Sequence, residues 1–351
     1  MLSKRKKGLL LAFLLTIPLA WFWADKKYKA LNPPEQALEV MEVTHTPYFL
    51  PQYIAINKGF FKEEGLSVHL NTTSREAARK ALTDQRADII LCSLTESIFT
   101  LPPDKKPLPR AFAALTRLDG SFLLTRKKDS LFQWADLKEK TIIGDAPDSS
   151  AQVILEEVLR SHGLEPYRHL AIYQNIPTSL RLEAFHSGTG DYLLASETNV
   201  SIAEAGGYGH AIAAIGATGG EMPVAAYVAS ADYIDTHREV IQKFTNAIYK
   251  AQLWLQFHSA REAFDIVVPS FPQVDEEILL KSIERYLALN TWPKDPIITE
   301  EPYKRFRAAA EKAGELANPA SYEDAVITDF ARLATETVDY KPHTSILKIT
   351  P

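Results

Sequence analysis

From residue 39 onward, short apolar runs alternate with longer stretches in which apolar positions recur every three or four residues. The first kind of run reads as a buried strand and the second as an amphipathic helix. Their alternation predicts a mostly parallel α/β sheet. The first predicted strand covers 39–44. The turn His45-Thr46-Pro47-Tyr48-Phe49-Leu50 follows, and Pro51 suits the opening of a helix over 52–58 that Gly59 ends. Further strands are predicted over 66–70, 87–92, 111–116 and 122–125. Ser74 is placed to cap a helix over 75–85, whose Ala77, Ala78, Ala81 and Leu82 form one narrow apolar face.

A second round begins at residue 141. A strand over 141–144 runs into Asp145-Ala146-Pro147-Asp148-Ser149-Ser150, then a helix over 151–162 that Gly163 ends. Strands over 170–173, 192–195 and 211–215 alternate with helices over 178–186 and 197–205, and 223–229 reads as a strand that begins a return. Beyond it the chain turns almost wholly helical, from a long amphipathic segment over 237–259 to about residue 335. The halves starting at 39 and 141 share one plan: strand, Pro-containing polar turn, helix. Two such halves imply two α/β lobes, with the helical region packing back on the first. The expected division is 39–130 for the first part of lobe 1, 131–223 for lobe 2, and 224–340 for the return and C-terminal helices, with 341–351 as a tail. In open α/β sheets ligands sit beyond the carboxyl ends of the strands, so two facing lobes would enclose a cleft there.

Ahead of this pattern the chain changes character. Lys4, Arg5, Lys6 and Lys7 precede an uncharged run over 8–24, and charge resumes at Asp25. A basic start before an apolar run is the grammar of an export signal, and this run is at the lower length limit for crossing a bilayer as a helix. Residues 1–24 therefore read as a signal peptide or a retained membrane anchor. Cleavage favours small residues at the last and third-last signal positions, and Phe22 before Ala24 or Pro18 before Ala20 serves it poorly. Residues 25–38, with Pro33-Pro34, read as a spacer. Without the first 24 residues, 35 basic side chains face 44 acidic ones, a net of −9 that argues against a nucleic-acid partner. At 46% hydrophobic the chain can bury a large core in about two compact units. Its single cysteine, Cys92, allows no internal disulfide, which a chain of this size does not need.

The run Tyr53-Ile54-Ala55-Ile56-Asn57-Lys58-Gly59-Phe60-Phe61-Lys62-Glu63-Glu64-Gly65-Leu66 resembles the Gly-Phe-Phe signature of ABC-importer solute-binding proteins. The subgroup is the one that takes up alkanesulfonates, nitrate and thiamine-pyrimidine precursors. Ala87-Asp88-Ile89-Ile90 after Ala81-Leu82, Gly219-Gly220-Glu221-Met222-Pro223, the segment 240–247, and Thr291-Trp292 before Asp295-Pro296 continue the likeness from about residue 39 to the 330s. The resemblance implies a two-lobed periplasmic-binding-protein-like fold of type II, with lobes joined by two crossovers and closing on a ligand by hinge motion. It also implies a small-molecule ligand, with a permease and an ATPase as partners. The basic start before the apolar run places the domain at the outer face of a bacterial cytoplasmic membrane, or makes it periplasmic or secreted if the signal is cleaved. Two departures stand out. Gram-positive members usually carry a lipid-modified cysteine after the signal, which Cys92 is too distant to be, and Asp148 stands where relatives commonly show a Gly-Ser pair.

Other chemistries lack their motifs. There is no Gly-x-Ser-x-Gly elbow, no pair of histidines at i, i+4 with a neighbouring Glu, and no Lys-Ser/Thr after Gly216, Gly219 and Gly220, so neither a nucleophile, a zinc site, a nucleotide nor any cofactor is expected. A pyrimidine-precursor enzyme on the same fold and an extracytoplasmic sensor are the alternatives to a binding protein. The expected ligand-binding residues lie on strand-to-helix turns. Thr46 and Tyr48 would offer a hydroxyl and an aromatic wall, or form a plain surface loop. Ser74, Ser93 and Thr95 would reach the cleft or merely cap the next helix or turn. Ser196 and Glu197 would do so from lobe 2, where Glu197 could equally be a helix-start acid favoured by the dipole. Asp148, Ser149 and Ser150 open a helix whose bare N–H groups could hold an anion, but the Asp148 carboxylate already occupies that place. It either caps the helix or accepts from a ligand N–H. An amine-bearing or neutral ring such as a pyrimidine is therefore expected over a sulfonate or nitrate, with Tyr48 as its stacking surface.

Overall fold

The structure, a computed structural model, describes residues 35–94, 109–128, 131–314 and 320–341. The N-terminal basic and apolar segment and Thr95 lie outside these residues. Among the described residues no helix is long and apolar enough to cross a membrane.

Among the described residues ten strands form two five-stranded sheets. The first holds β1 (Gln36–Glu42), β2 (Leu66–Thr72), β3 (Ile89–Ser93), β4 (Arg110–Ala114) and β10 (Ala225–Ala229), in the order β2-β1-β3-β10-β4. The second holds β5 (Ser121–Thr125), β6 (Thr141–Ile143), β7 (Ala171–Tyr173), β8 (Tyr192–Ser196) and β9 (His210–Ala214), in the order β7-β6-β8-β5-β9. The two orders are the same topology. In each sheet the strands run one way except the fourth, which is antiparallel to both neighbours. That reversed strand is the one delivered from the other lobe: β5 enters the second sheet after β4, and β10 enters the first after β9.

This topology corrects two boundaries. The strand at 121–125 was expected in lobe 1, with the crossing near residue 131; it belongs to the second sheet, so the first crossing runs from Leu115 to Gly120. A strand buried at all five positions carries no alternation to say which sheet it joins, and only its pairing with β8 decides. The strand expected from residue 39 begins at Gln36, inside the stretch read as spacer, because β1 pairs along its whole length with β2. The second crossing uses the helix Ile215–Gly219. A Cβ on Gly216 would collide with the Asp119 backbone, so the two crossings touch there and only a glycine fits.

The Gly-Phe-Phe segment has a packing explanation. Gly59 and Gly65 adopt φ of +77° and +75°, the left-handed region, and bracket the single turn Phe60–Glu63. That turn buries Phe60 and Phe61, the latter 4.9 Å from the ring of Phe244. Phe244 belongs to the helix Arg238–Leu255, which buries Val240, Ile241, Phe244, Ala247, Ile248, Ala251, Trp254 and Leu255 at three- and four-residue spacing. This helix packs against Leu50–Asn57 and Asp329–Thr337, behind the first sheet. The C-terminal helices do not cover lobe 1 alone. Glu276–Ala288 meets Asn199–Ala205 of lobe 2, and Glu300–Lys312 lies against Ser150–Ser161 of lobe 2. The lobes are thus clasped on both flanks of the crossings.

Candidate functional site

The carboxyl ends of β1, β3, β6 and β8 and the starts of β5 and β10 converge on a cleft of ≈ 200 Å³ between the lobes. The pairing register sets the matching corners. Ser93 ends β3 opposite Ala225, and Ser196 ends β8 opposite Ser121, and all four line the cleft.

Lobe 1 contributes the turn after β1, which is built on a buried carboxylate. Glu42 is fully buried at the end of β1 and accepts from Gln52 Nε2 (2.8 Å), Tyr53 Oη (2.7 Å) and Thr72 Oγ1 (2.8 Å). It also meets His45 Nδ1 at 2.7 Å, and the other ring nitrogen of His45 is 2.7 Å from the Ser270 carbonyl. Burial, with Glu42 beside it, pushes the Tyr53 phenol far above its ordinary range, so Tyr53 stays a donor. The turn then closes on itself. Thr46 Oγ1 accepts from the Tyr48 amide (3.2 Å) and caps the short 3-10 turn Pro47–Phe49. Tyr48 Oη donates to the Leu118 carbonyl (2.6 Å) and lies 2.9 Å from Thr116 Oγ1, while Trp292 Nε1 donates to the Tyr48 carbonyl (2.9 Å). A Cβ on Gly120 would sit 2.6 Å from the Tyr48 ring, so glycine lets this ring lie across the first crossing.

Lobe 2 contributes the turn after β6. Gln152 is fully buried; its Oε1 accepts from the Asp145 amide (3.0 Å) and its Nε2 donates to Glu156 (2.9 Å). Ser149 Oγ accepts from the Gln152 amide (3.1 Å) and caps the helix Ser150–Ser161. The Asp145 carboxylate accepts from the Ala146 amide (2.7 Å) and pairs with Arg181.

The structure brings together Thr46, Tyr48, Ser93, Ser149, Ser150 and Ser196 on the cleft wall. The other expected residues fall elsewhere. Ser74 is a helix cap, its Oγ accepting from the Ala77 amide (3.2 Å), and the next residue, Arg75, lines the cleft in its place. Asp148 does neither of the things expected of it. Ser149 does the capping, and the Asp148 carboxylate reaches across to Arg75 of lobe 1 at 2.6 Å. Glu197 is a correction: it lies behind the cleft, 3% exposed, and meets Arg285 Nε at 2.6 Å. It also accepts from Ser282 Oγ (3.1 Å) and the Ser201 amide (3.2 Å). Alternation along β8 turns Ser196 to the cleft and sends its successor into the clasp with the helix Glu276–Ala288.

Sequence reasoning missed Arg75, Asp119, Ser121 and Asp145, all on the cleft wall. Asp145 was visible in the turn, but Asp119 was hidden by the misplaced crossing. Asp119 is 6% exposed and accepts at Oδ1 from the Ser121 amide (2.9 Å) and Ser121 Oγ. Burial raises the pKa of its carboxyl; the Ser121 hydrogen bonds oppose this, and nearby Asp145 adds to it. Burial likewise lifts the Tyr48 phenol well above its ordinary value, with Asp119 contributing.

The NMT1/THI5-like family model matches residues 46–260. The chain belongs to the NMT1/THI5-like family. The match takes in the turn after β1, both crossings and the whole second lobe. A relative from Bacillus subtilis (strain 168), "Putative binding protein YtlA", is 35% identical over 299 residues, covering 85% of this chain and 90% of that one. Solved structures share the fold at lower identity. The periplasmic nitrate-binding protein NrtA from Synechocystis PCC 6803 has a TM-score of 0.69 at 15% identity, covering 88% of this chain and 90% of that one. The alkanesulfonate-binding protein SsuA from Xanthomonas axonopodis pv. citri, bound to MOPS, has a TM-score of 0.66 at 16% identity, covering 84% of this chain and 99% of that one. The desulfurization enzyme DSZB shows that the same fold also carries catalysis, with a TM-score of 0.64 at 10% identity over 86% of this chain and 99% of that one. The Bacillus subtilis relative and the structural neighbours are mainly binding proteins, and two further neighbours are named as parts of ABC transport systems.

Proposed function

We propose that the protein captures a small organic molecule between its lobes at the outer face of a bacterial cytoplasmic membrane and delivers it to a permease driven by an ATPase, without transforming it. One observation carries this reading: two turns of the same plan, one per lobe, meet at a cleft walled by hydroxyls, carboxylates, the Arg75 side chain and the Tyr48 ring. The lining includes no histidine or cysteine to serve as general base or thiolate nucleophile. Thr46, Tyr48, Ser93, Ser149, Ser150 and Ser196 are the proposed contacts, and the basic segment at 4–7 with the apolar run at 8–24 is the proposed export signal or anchor.

Calorimetry against candidate solutes, paired with small-angle scattering, tests the reading. A solute that binds should leave the protein more compact, because closure follows from its greater affinity for the closed state. Solute consumed at a steady rate by the purified protein would overturn the non-enzymatic reading. Protease added to intact spheroplasts should digest the domain, and resistance until lysis would overturn the location.

A further inference from the structure

The charges of the cleft do not balance one another, and the imbalance falls on one residue. Asp145 is paired with Arg181, and Asp148 with Arg75. Asp119 has hydrogen bonds from Ser121 but, among the described residues, no cationic partner. It is 6% exposed, sits on the first crossing between lobes, and shares the cleft wall with Tyr48 and Ser121. A carboxylate taken out of water is costly unless an opposite charge or several donors compensate it, and removing or supplying one partner of such a group has a large effect. The Ser121 amide and hydroxyl supply part of that compensation. A donor on a bound solute can add to it from the cleft side, which Asp119 lines.

We propose that the bound solute presents a protonated amine or a ring N–H donor to the carboxylate of Asp119, which is the residue that selects it. The proposal rests on the solute-binding reading above and deepens it. It moves the acceptor role from Asp148, which Arg75 already holds, to a residue on the hinge itself. Placement there has a consequence: a ligand that satisfies Asp119 also bears on the crossing strand, next to Gly216 of the second crossing. A bare oxyanion at the same place would face an unpaired negative charge at close range. Tyr48, beside Asp119 on the wall, gives a flat ring its apolar surface.

The test uses matched probes on the full chain: 4-aminopyrimidine against pyrimidine, and 2-aminoethanesulfonate against ethanesulfonate, with nitrate as the simple anion. Thermal shift and calorimetry should show saturable binding by the amine-bearing member of at least one pair and roughly ten- to hundredfold weaker binding by its amine-free partner. Asp119→Asn should weaken the amine-bearing probe to about the same degree, whereas Asp148→Asn should not. The melting temperature of unliganded Asp119→Asn, close to that of the parent, shows that the variant folds. Binding of ethanesulfonate or nitrate that Asp119→Asn leaves unchanged or strengthens overturns this proposal and leaves solute capture standing. No shift with any probe also overturns it. Solute capture itself falls only if a whole metabolite extract then leaves the melting temperature unchanged.

Discussion

The two turns that form the cleft follow one plan and hold themselves in opposite ways. After β1 the charge is hidden. Glu42 is wholly buried behind the turn, gathers Gln52, Tyr53, Thr72 and His45, and leaves the cleft an aromatic and hydroxyl face made by Thr46 and Tyr48. After β6 the buried organiser is the neutral Gln152, while Asp145 stands on the wall and Asp148 reaches out to the other lobe. The helix ends differ too. Leu50–Asn57 has no side-chain cap, because the 3-10 turn before it takes up the entering backbone, whereas Ser150–Ser161 is capped by Ser149. Lobe 1 therefore offers a wall built from its scaffold, and lobe 2 a polar helix start with charge beside it. A binding site assembled from such unlike halves is complete only when they meet, which suits capture by closure.

Substitutions that strip one half and spare the other would break or sharpen this contrast. Glu42→Ala should act most strongly. It leaves two buried donors, Gln52 and Tyr53, and the exposed Thr72 hydroxyl without their acceptor, and stability measured by urea unfolding should fall by about 3–5 kcal/mol. A loss under about 1 kcal/mol would show that the first turn does not depend on its buried charge. Gln152→Ala removes the neutral counterpart, and the same measurement should show a smaller loss of about 1–3 kcal/mol. The caps come next. Ser149→Ala should cost about 1 kcal/mol, and Ser74→Ala nearer 0.5 kcal/mol because its helix start is exposed; equal losses would remove the distinction between a buried and a surface cap. Smallest is the Arg75–Asp148 pair, whose side chains are 33% and 52% exposed. A double-mutant cycle with Arg75→Ala and Asp148→Ala should give a stability coupling below about 1 kcal/mol that shrinks further in high salt.

Strand and helix positions followed the hydrophobic pattern closely, since each element buries one face and period 2 or 3.6 records which. The helix over 238–255, the two-round plan and the Gly59–Gly65 turn were all legible for that reason. The place of Ser93, Ser149, Ser150 and Ser196 on the cleft wall was legible as well, because the carboxyl ends of strands are where α/β sheets place polar side chains.

Only the tertiary structure decided the rest. No local pattern tells a fully buried strand which sheet to join, so β5 and the crossing that carries Asp119 were misplaced. Whether an acid faces a cleft, a cap or a partner depends on groups far away in sequence. Arg285 holds Glu197, Arg75 holds Asp148, and both partners lie more than 70 residues from the acids they meet. The sequence by itself determined which elements form and where each sheet opens, because those follow from burial along a few residues at a time. Which carboxylate remains without a counter-charge was settled by folding, because electrostatic pairing depends on distance in space and not along the chain.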